Sequence, residues 1–270
     1  PSDTACYPAK LMHGHIEWLL AQKPDVIFYP DMSYNVEEGL GVDHFNCPVV
    51  AYYPQVLKLN VPGLRNIPFI SDFIGLHDKK NFRKRIGAIL ARYFAPFSKK
   101  QIAAAADAAY AEYAAYHKAV QDRAQAYLAA AKQEKQPVVV LCGRPYHVDP
   151  EVSHGVDKLL CDLGAAVITE DSISPLVTKF PAAVRNQWTY HARMYAAAKY
   201  VAESPDDLHV VQLVSFGCGV DAVTTDEVRG ILESAGKDYT QLKIDEISNM
   251  GAASIRLRSL FAMLEEKKRM

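Results

Sequence analysis

Pro137-Val-Val-Val-Leu-Cys142 runs straight into Gly143-Arg144-Pro145-Tyr146-His147, an apolar stretch of strand length that ends in a glycine and a cluster of polar and aromatic side chains. A short apolar run bounded by Pro and Gly reads as a buried strand. Downstream the pattern repeats. Val152–Leu163 reads as a helix ended by Gly164, Ala165–Thr169 as a strand, and Trp188–Lys199 as a helix. His209–Phe216 is a strand, Thr225–Ser234 a helix, Tyr239–Ile244 a strand, and Gly251–Lys268 a final helix. Strands alternating with helices predict a parallel, doubly wound sheet, which sets the fold class as α/β.

Upstream of this lobe, residues 98 to about 133 are Ala-rich and contain neither Gly nor Pro. Ser98 and Gln101 form a capping-box pair. Ile102, Ala106, Tyr110, Tyr113, His117, Val120, Ala124 and Tyr127 recur at steps of three and four, the period of one helix face. The tyrosines read as packing residues of a long helix that joins or braces two lobes. The first lobe reads as a helix from Pro8 to Lys23, a strand over Asp25–Tyr29, a second strand over Pro48–Tyr53 and a helix over Asn81–Phe94. Its opening strand is expected upstream of residue 1. The organisation is thus 1–97 as an incomplete α/β lobe, 98–134 as a bridging helix and 135–270 as the second α/β lobe, both lobes being flavodoxin- or Rossmann-like with parallel sheets.

Bulk composition excludes several classes. The chain has 270 residues, 50% apolar and 23% charged, with a formal net charge of −1. That balance offers no basic footprint for nucleic acid or an anionic membrane surface. No apolar run approaches the roughly 20 residues of a membrane span. The opening Pro1-Ser-Asp-Thr-Ala-Cys6 has no basic-then-apolar leader and no initiator Met, so it reads as a processed chain or an excised fragment. A reducing cytoplasm follows from the five scattered cysteines, an odd set unlike a disulfide framework.

The cysteines also carry the candidate chemistry. Cys142 and Cys218 fall at the carboxyl ends of strands, where open parallel sheets bind ligands. Glycines flank Cys218 and allow a tight turn. Cys6 falls near the amino end of the first helix, where the dipole favours a thiolate. Cys47 precedes an expected strand, which would put it on the opposite edge. Cys161, among Leu159, Leu160 and Leu163, reads as core. No Cys-x-x-Cys pair is present, which excludes zinc ribbons and ferredoxin-type runs. No Gly-x-Gly-x-x-Gly or P-loop string occurs, so nucleotide hydrolysis is not expected within the chain. Spacing alone stops at an α/β protein with cysteines at loop ends, and a buried small hydrophobe is the ordinary role of any one of them.

Several strings together resemble one family: Ser2-Asp-Thr-Ala-Cys-Tyr-Pro-Ala-Lys10 with His13-Gly-His15, Asn46-Cys-Pro-Val-Val50, Gly143-Arg-Pro-Tyr-His147, Ser215-Phe-Gly-Cys-Gly-Val-Asp-Ala-Val-Thr-Thr-Asp226, and Lys243-Ile-Asp-Glu246. The resemblance, nearly end to end, is to the uncharacterised domain of CoA-enzyme activase-related proteins, itself similar to 2-hydroxyacyl-CoA dehydratase subunits and double-cubane cluster proteins. It implies flavodoxin-like lobes and a [4Fe-4S] or larger, double-cubane-type iron–sulfur cluster held by Cys6, Cys47 and Cys218 where the lobes meet. Cys142 is a reserve ligand. His13, His15, Arg144, Tyr146 and His147 would surround the cluster, with His154 a weaker candidate. Lys243, Asp245 and Glu246 read as a salt-bridged loop. The resemblance further implies an ATP-dependent activator as partner, low-potential electron transfer under anaerobic conditions, and a homodimer as a candidate assembly. Two rival functions remain open: an acyl-CoA dehydratase-like enzyme, and a non-catalytic scaffold module of a larger protein.

Overall fold

The computed structural model describes residues 4–244 and 250–269. The chain divides into two compact units, Pro1–Tyr116 with Gln187–Thr189, and His117–Asn186 with Tyr190–Met270. Both contain parallel strands among helices, the α/β class expected from sequence.

The first unit opens with α1 (Tyr7–Ala21), which has Pro8 in its first turn and ends before Lys23, a residue forced to a left-handed φ of 52°. β1 (Ile27–Phe28) pairs in parallel with β2 (Phe69–Ile70). Between them lies α2 (Pro48–Asn60). Here the structure corrects the sequence reading of Pro48–Tyr53 as a strand. The run Pro-Val-Val-Ala-Tyr-Tyr is rich in strand formers, but its burial has a helical period: Ala51, Pro54 and Leu57 face inward at steps of three. Packing against α1 overrides propensity. Ile16, Ile27, Leu57, Val61, Leu64 and Phe69 form the core beneath. α3 (Lys79–Tyr93) is capped by Asp78, whose side chain accepts from Lys80 N and Asn81 N.

α4 (Lys99–Glu134) spans 36 residues, and its capping box forms as expected: Gln101 N–H donates to Ser98 Oγ at 3.2 Å and Ser98 N–H donates to Gln101 Oε1 at 3.0 Å. Ala106, Ala124 and Ala131 are its buried positions, whereas Tyr113 and Tyr127 are exposed.

The second unit is built on a four-stranded parallel sheet in the order β4-β3-β5-β6, from β3 (Val138–Cys142), β4 (Ala166–Thr169), β5 (Leu208–Val214) and β6 (Tyr239–Lys243). β3 is buried along its whole length, as a central parallel strand covered on both faces must be. Val138, Val140 and Cys142 point to one face, where they meet α8 (Thr189–Glu203) through Met194, Ala198 and Val201, and α9 (Gly219–Ser234) through Val228 and Leu232. Val139 and Leu141 alternate to the other face. The β3–β4 crossover carries α5 (Pro150–Ser153) and α6 (Val156–Asp162), and α7 (Glu170–Ile173) opens the connection from β4 to β5. The single helix expected over Val152–Leu163 is two pieces, because His154 and Gly155 both take left-handed φ values of 50° and 76°. α10 (Met250–Arg269) buries Leu257, Leu260 and Leu264 and touches α6.

Cys161 corrects the expectation that it is core. α6 buries Val156 and Leu160, and the next residue lies about 100° further round the helix, facing solvent. Asp245 and Glu246 lie outside the described residues; Lys243 places its ammonium over the Phe216 ring at 5.7 Å. Among the described residues, no helix is long and apolar enough to cross a membrane.

Leu232 is fully buried where α9 meets the sheet. Leu232→Ala is expected to cost about 2–5 kcal/mol of stability through lost transfer energy and the cavity left behind, read as a lower midpoint in urea unfolding.

Candidate functional site

In the second unit the crossover from β3 to β4 runs one way and that from β4 to β5 the other, so strand order reverses between β3 and β5. Ligands of open parallel sheets bind outside the carboxyl ends of the strands at such a reversal. The loops that flank it here are Gly143–His147, leaving β3, and Ser215–Cys218, leaving β5.

Both loops are held by backbone features specific to their residues. Pro145–Val148 forms a turn of 3-10 helix, and the Arg144 backbone N–H donates to Nδ1 of His147 at 3.0 Å. Gly143 is required because a Cβ there would lie 2.6 Å from that same imidazole nitrogen. On the other loop, Gly217 takes φ 77°, and Cys218 N–H closes the turn on Ser215 O at 3.3 Å. α9 begins at Gly219, six residues earlier than its apolar pattern suggests, and this makes Cys218 its N-cap.

Arg144 links the two loops. Its Nη1 donates to Cys218 Sγ at 3.0 Å and its Nη2 to Asp221 Oδ2 at 2.5 Å. The same carboxylate oxygen accepts from Ser215 N–H at 2.9 Å. Asp221 Oδ1 faces His191 Nε2 at 3.6 Å, close enough for attraction but not for a hydrogen bond. The Tyr146 ring lies beneath the guanidinium, its centroid 5.1 Å from the guanidinium carbon, and packs against His147 with centroids 4.2 Å apart and the rings tilted by 44°.

Titration follows from this burial. Desolvation opposes the charge of Arg144, yet Asp221, Tyr146 and Cys218 outweigh it and raise its pKa. Burial also works against the Asp221 carboxylate, but His191, Arg144 and the Ser215 N–H prevail and lower its pKa. His147 is pushed down to about 3, first by burial and then by Arg144, so it is neutral at physiological pH. With Nδ1 accepting, its proton resides on Nε2, a buried donor with no partner among the described residues. Glu170, at the end of β4, is pushed up to about 8 by burial and by Asp171, against the Gly143 N–H and Arg193, which favour its charge.

The first unit holds the other two candidate thiols. Cys6 is the N-cap of α1 and Cys47 the N-cap of α2, both in extended backbone geometry. The helix at Pro48 therefore removes the difficulty of placing Cys47 ahead of a strand. His13 Nε2 meets the Tyr53 hydroxyl at 2.9 Å, and burial lowers its pKa. The pKa of Tyr53 is raised by burial and by the negative charge of Cys6. Tyr29 is pushed up to about 12 by burial and then by Asp31, Tyr53 and Cys47. His13 and both cysteines belong to this same unit, while His15 lies exposed on α1.

Residues 1–173 match the model of the CoA enzyme activase uncharacterised domain, DUF2229. The chain belongs to this family. The match includes Cys6, Cys47, Cys142 and the Gly143–His147 loop, and it ends before the Ser215–Asp226 and Lys243–Glu246 strings. No curated protein matches the chain.

Against the sequence expectations, Arg144 reaches Cys218 with Tyr146 and His147 packed beside it in one unit, and His13, Cys6 and Cys47 belong to the other. Cys142 is enclosed in the core, where burial and Glu170 hold its thiol well above the usual range. His154 is at the α5–α6 break rather than in the loop. None of the five cysteines is in a disulfide, and three half-buried sulfurs at helix starts suit thiolate ligation in kind. Among the described residues, however, no group of three or more His, Cys, Asp or Glu side chains is placed to hold a metal ion. Asp221, His191, Glu170, Tyr53 and Tyr29 were not singled out from sequence. Asp221 alone had a signal there, one helical turn beyond Cys218 in the Gly-Cys-Gly-Val-Asp string.

Glu170 binds a proton in the folded state that its unfolded counterpart loses near pH 4.5. Its stabilising effect is therefore complete below that pH and is lost as pH rises towards about 8. Glu170→Gln is expected to flatten this decline, giving a relative gain at pH 8 that disappears near pH 5, measured by thermal unfolding across the range.

Proposed function

We propose that the chain is an iron–sulfur component of a CoA enzyme activase-related protein, with Cys6, Cys47 and Cys218 as thiolate ligands of a [4Fe-4S] or larger, double-cubane-type cluster. The observation that carries the reading is the shared local geometry of these cysteines. Each is the N-cap of a helix of 13 residues or more, each is half-buried, and none has its side chain used in capping. Helix amino ends present N–H groups and a positive dipole, which favour a thiolate and an anionic cluster. The two other cysteines, one in the core and one on an exposed helix face, lack this setting.

When bound, a cluster with three protein thiolates supplies one-electron chemistry and leaves one iron open to a further ligand. The chain's own residues would orient and tune it. Arg144 donates to the Cys218 sulfur, and a donor to a ligating sulfur shifts the reduction potential upwards. His147, kept neutral, adds no charge. His13 and Tyr53 form a hydrogen-bonded pair on the cysteine side of the first unit. Low-potential electrons would come from an ATP-dependent activator protein, consistent with the family and with the lack of a P-loop in the chain, in a reducing, cytoplasmic setting.

The test is anaerobic purification followed by iron and acid-labile sulfide analysis with EPR. About four or more irons per chain are expected, and Ala at Cys6, Cys47 or Cys218 should lower iron and sulfide while Cys161→Ala leaves them unchanged. Protein prepared without oxygen that contains neither iron nor sulfide sinks the proposal and leaves the scaffold role.

A further inference from the structure

We propose that Asp221 is a positioning residue for Cys218, its carboxylate fixing the Arg144 guanidinium against the cysteine sulfur. This deepens the reading above, because it takes Cys218 to be a working thiolate, but its geometry belongs entirely to the second unit. Asp221 is one turn into α9, and a single oxygen, Oδ2, accepts from both Ser215 N–H and Arg144 Nη2. Ser215 starts the turn that carries Cys218. One carboxylate oxygen therefore secures both the loop bearing the sulfur and the guanidinium that reaches it.

The guanidinium is planar, with its two terminal nitrogens in a fixed fork. Once Nη2 is held by Asp221, the direction of Nη1 is set, and Nη1 is the atom that meets Cys218 Sγ at 3.0 Å. Both side chains are buried, Arg144 7% and Asp221 3% exposed, so solvent does not offer the guanidinium another orientation. His191, on α8, lies 3.6 Å from the far oxygen.

A rival role would make Asp221 only a counter-charge that neutralises Arg144. The two roles predict opposite signs. The experiment uses the full chain, stripped of metal, and follows alkylation by iodoacetamide at Cys218 by peptide mass spectrometry, with exposed Cys161 as internal reference and buried Cys142 as a reporter of unfolding. Arg144→Gln is expected to slow Cys218 alkylation about fivefold relative to Cys161, since the sulfur loses the charged donor that meets it at 3.0 Å. If Asp221 positions Arg144, Asp221→Asn slows Cys218 by a similar factor, Arg144→Lys also slows it because an ammonium cannot span sulfur and carboxylate, and the double variant Arg144→Gln/Asp221→Asn is no slower than Arg144→Gln alone. Unchanged or faster alkylation in Asp221→Asn overturns the proposal, since a freed guanidinium charge would act more strongly on the sulfur.

Should Asp221→Asn expose Cys142 and so prove unfolded, the comparison passes to Arg144→Gln against the double variant, which leaves no unpaired charge. A further change in rate between those two overturns the proposal as well. Iron and sulfide content is read separately. Loss of the cluster reading would leave these rates interpretable, and a failure of Asp221 to position Arg144 would leave ligation by Cys218 standing.

Discussion

A guanidinium buried among protein atoms is tolerated only if its charge is matched and its N–H groups are engaged, because removing it from water costs several kcal/mol after relaxation. Asp221 matches the charge of Arg144 and engages Nη2, Cys218 engages Nη1, and Nε is left without a partner among the described residues; the pairing ties the loop after β3 to the loop after β5 at the reversal of strand order. Much else in the second unit follows from it. The Ser215 turn is closed on the same carboxylate, Tyr146 lies under the cation, and His147 is turned so that its Nδ1 accepts from the Arg144 backbone. Such a pair gives modest net stability, but it admits few alternative arrangements, and for a site that must hold a sulfur in one orientation that restriction is the useful property.

The cysteines illustrate a second economy. A cysteine at an N-cap contributes little to the helix, since Ser, Thr, Asp or Asn would cap it better. At Cys6, Cys47 and Cys218 the stronger capping residues are absent, and the sulfur is not used to cap the helix. The local cost to three helices fits a chain in which those positions answer to something besides folding.

The doubly wound sheet of the second unit was legible because β3 is a continuous apolar run and β5 a largely apolar one, broken only by His209 and Gln212, both bounded by Pro, Gly and polar loops. The capping box at Ser98 and Gln101 was legible because it is local. The α2 segment was not: Val49, Val50, Tyr52 and Tyr53 favour a strand by propensity, and only the inward spacing of Ala51, Pro54 and Leu57, imposed by α1 and the core beneath, makes it a helix. The early start of α9 was hidden because its first turn, Gly219–Ala222, is short of apolar residues and is organised by Asp221 instead. Around the site, motif residues on the β3 loop could be named from the sequence, whereas His191 and Glu170 come from distant elements and are recruited by packing alone. No local pattern distinguishes a buried glutamate with a raised pKa from an ordinary surface acid.

Cys47 precedes Pro48, and a residue before proline is sterically barred from much of the helical region whether or not the chain is folded. Its observed φ of −63° and ψ of 158° lie in the region that this restriction leaves open. The backbone beneath that thiol is therefore largely set before tertiary structure forms, so ordering it forfeits little chain entropy. The backbone that carries the Cys47 side chain is thus constrained by covalent chemistry, a form of readiness that survives local fraying of the helix behind it.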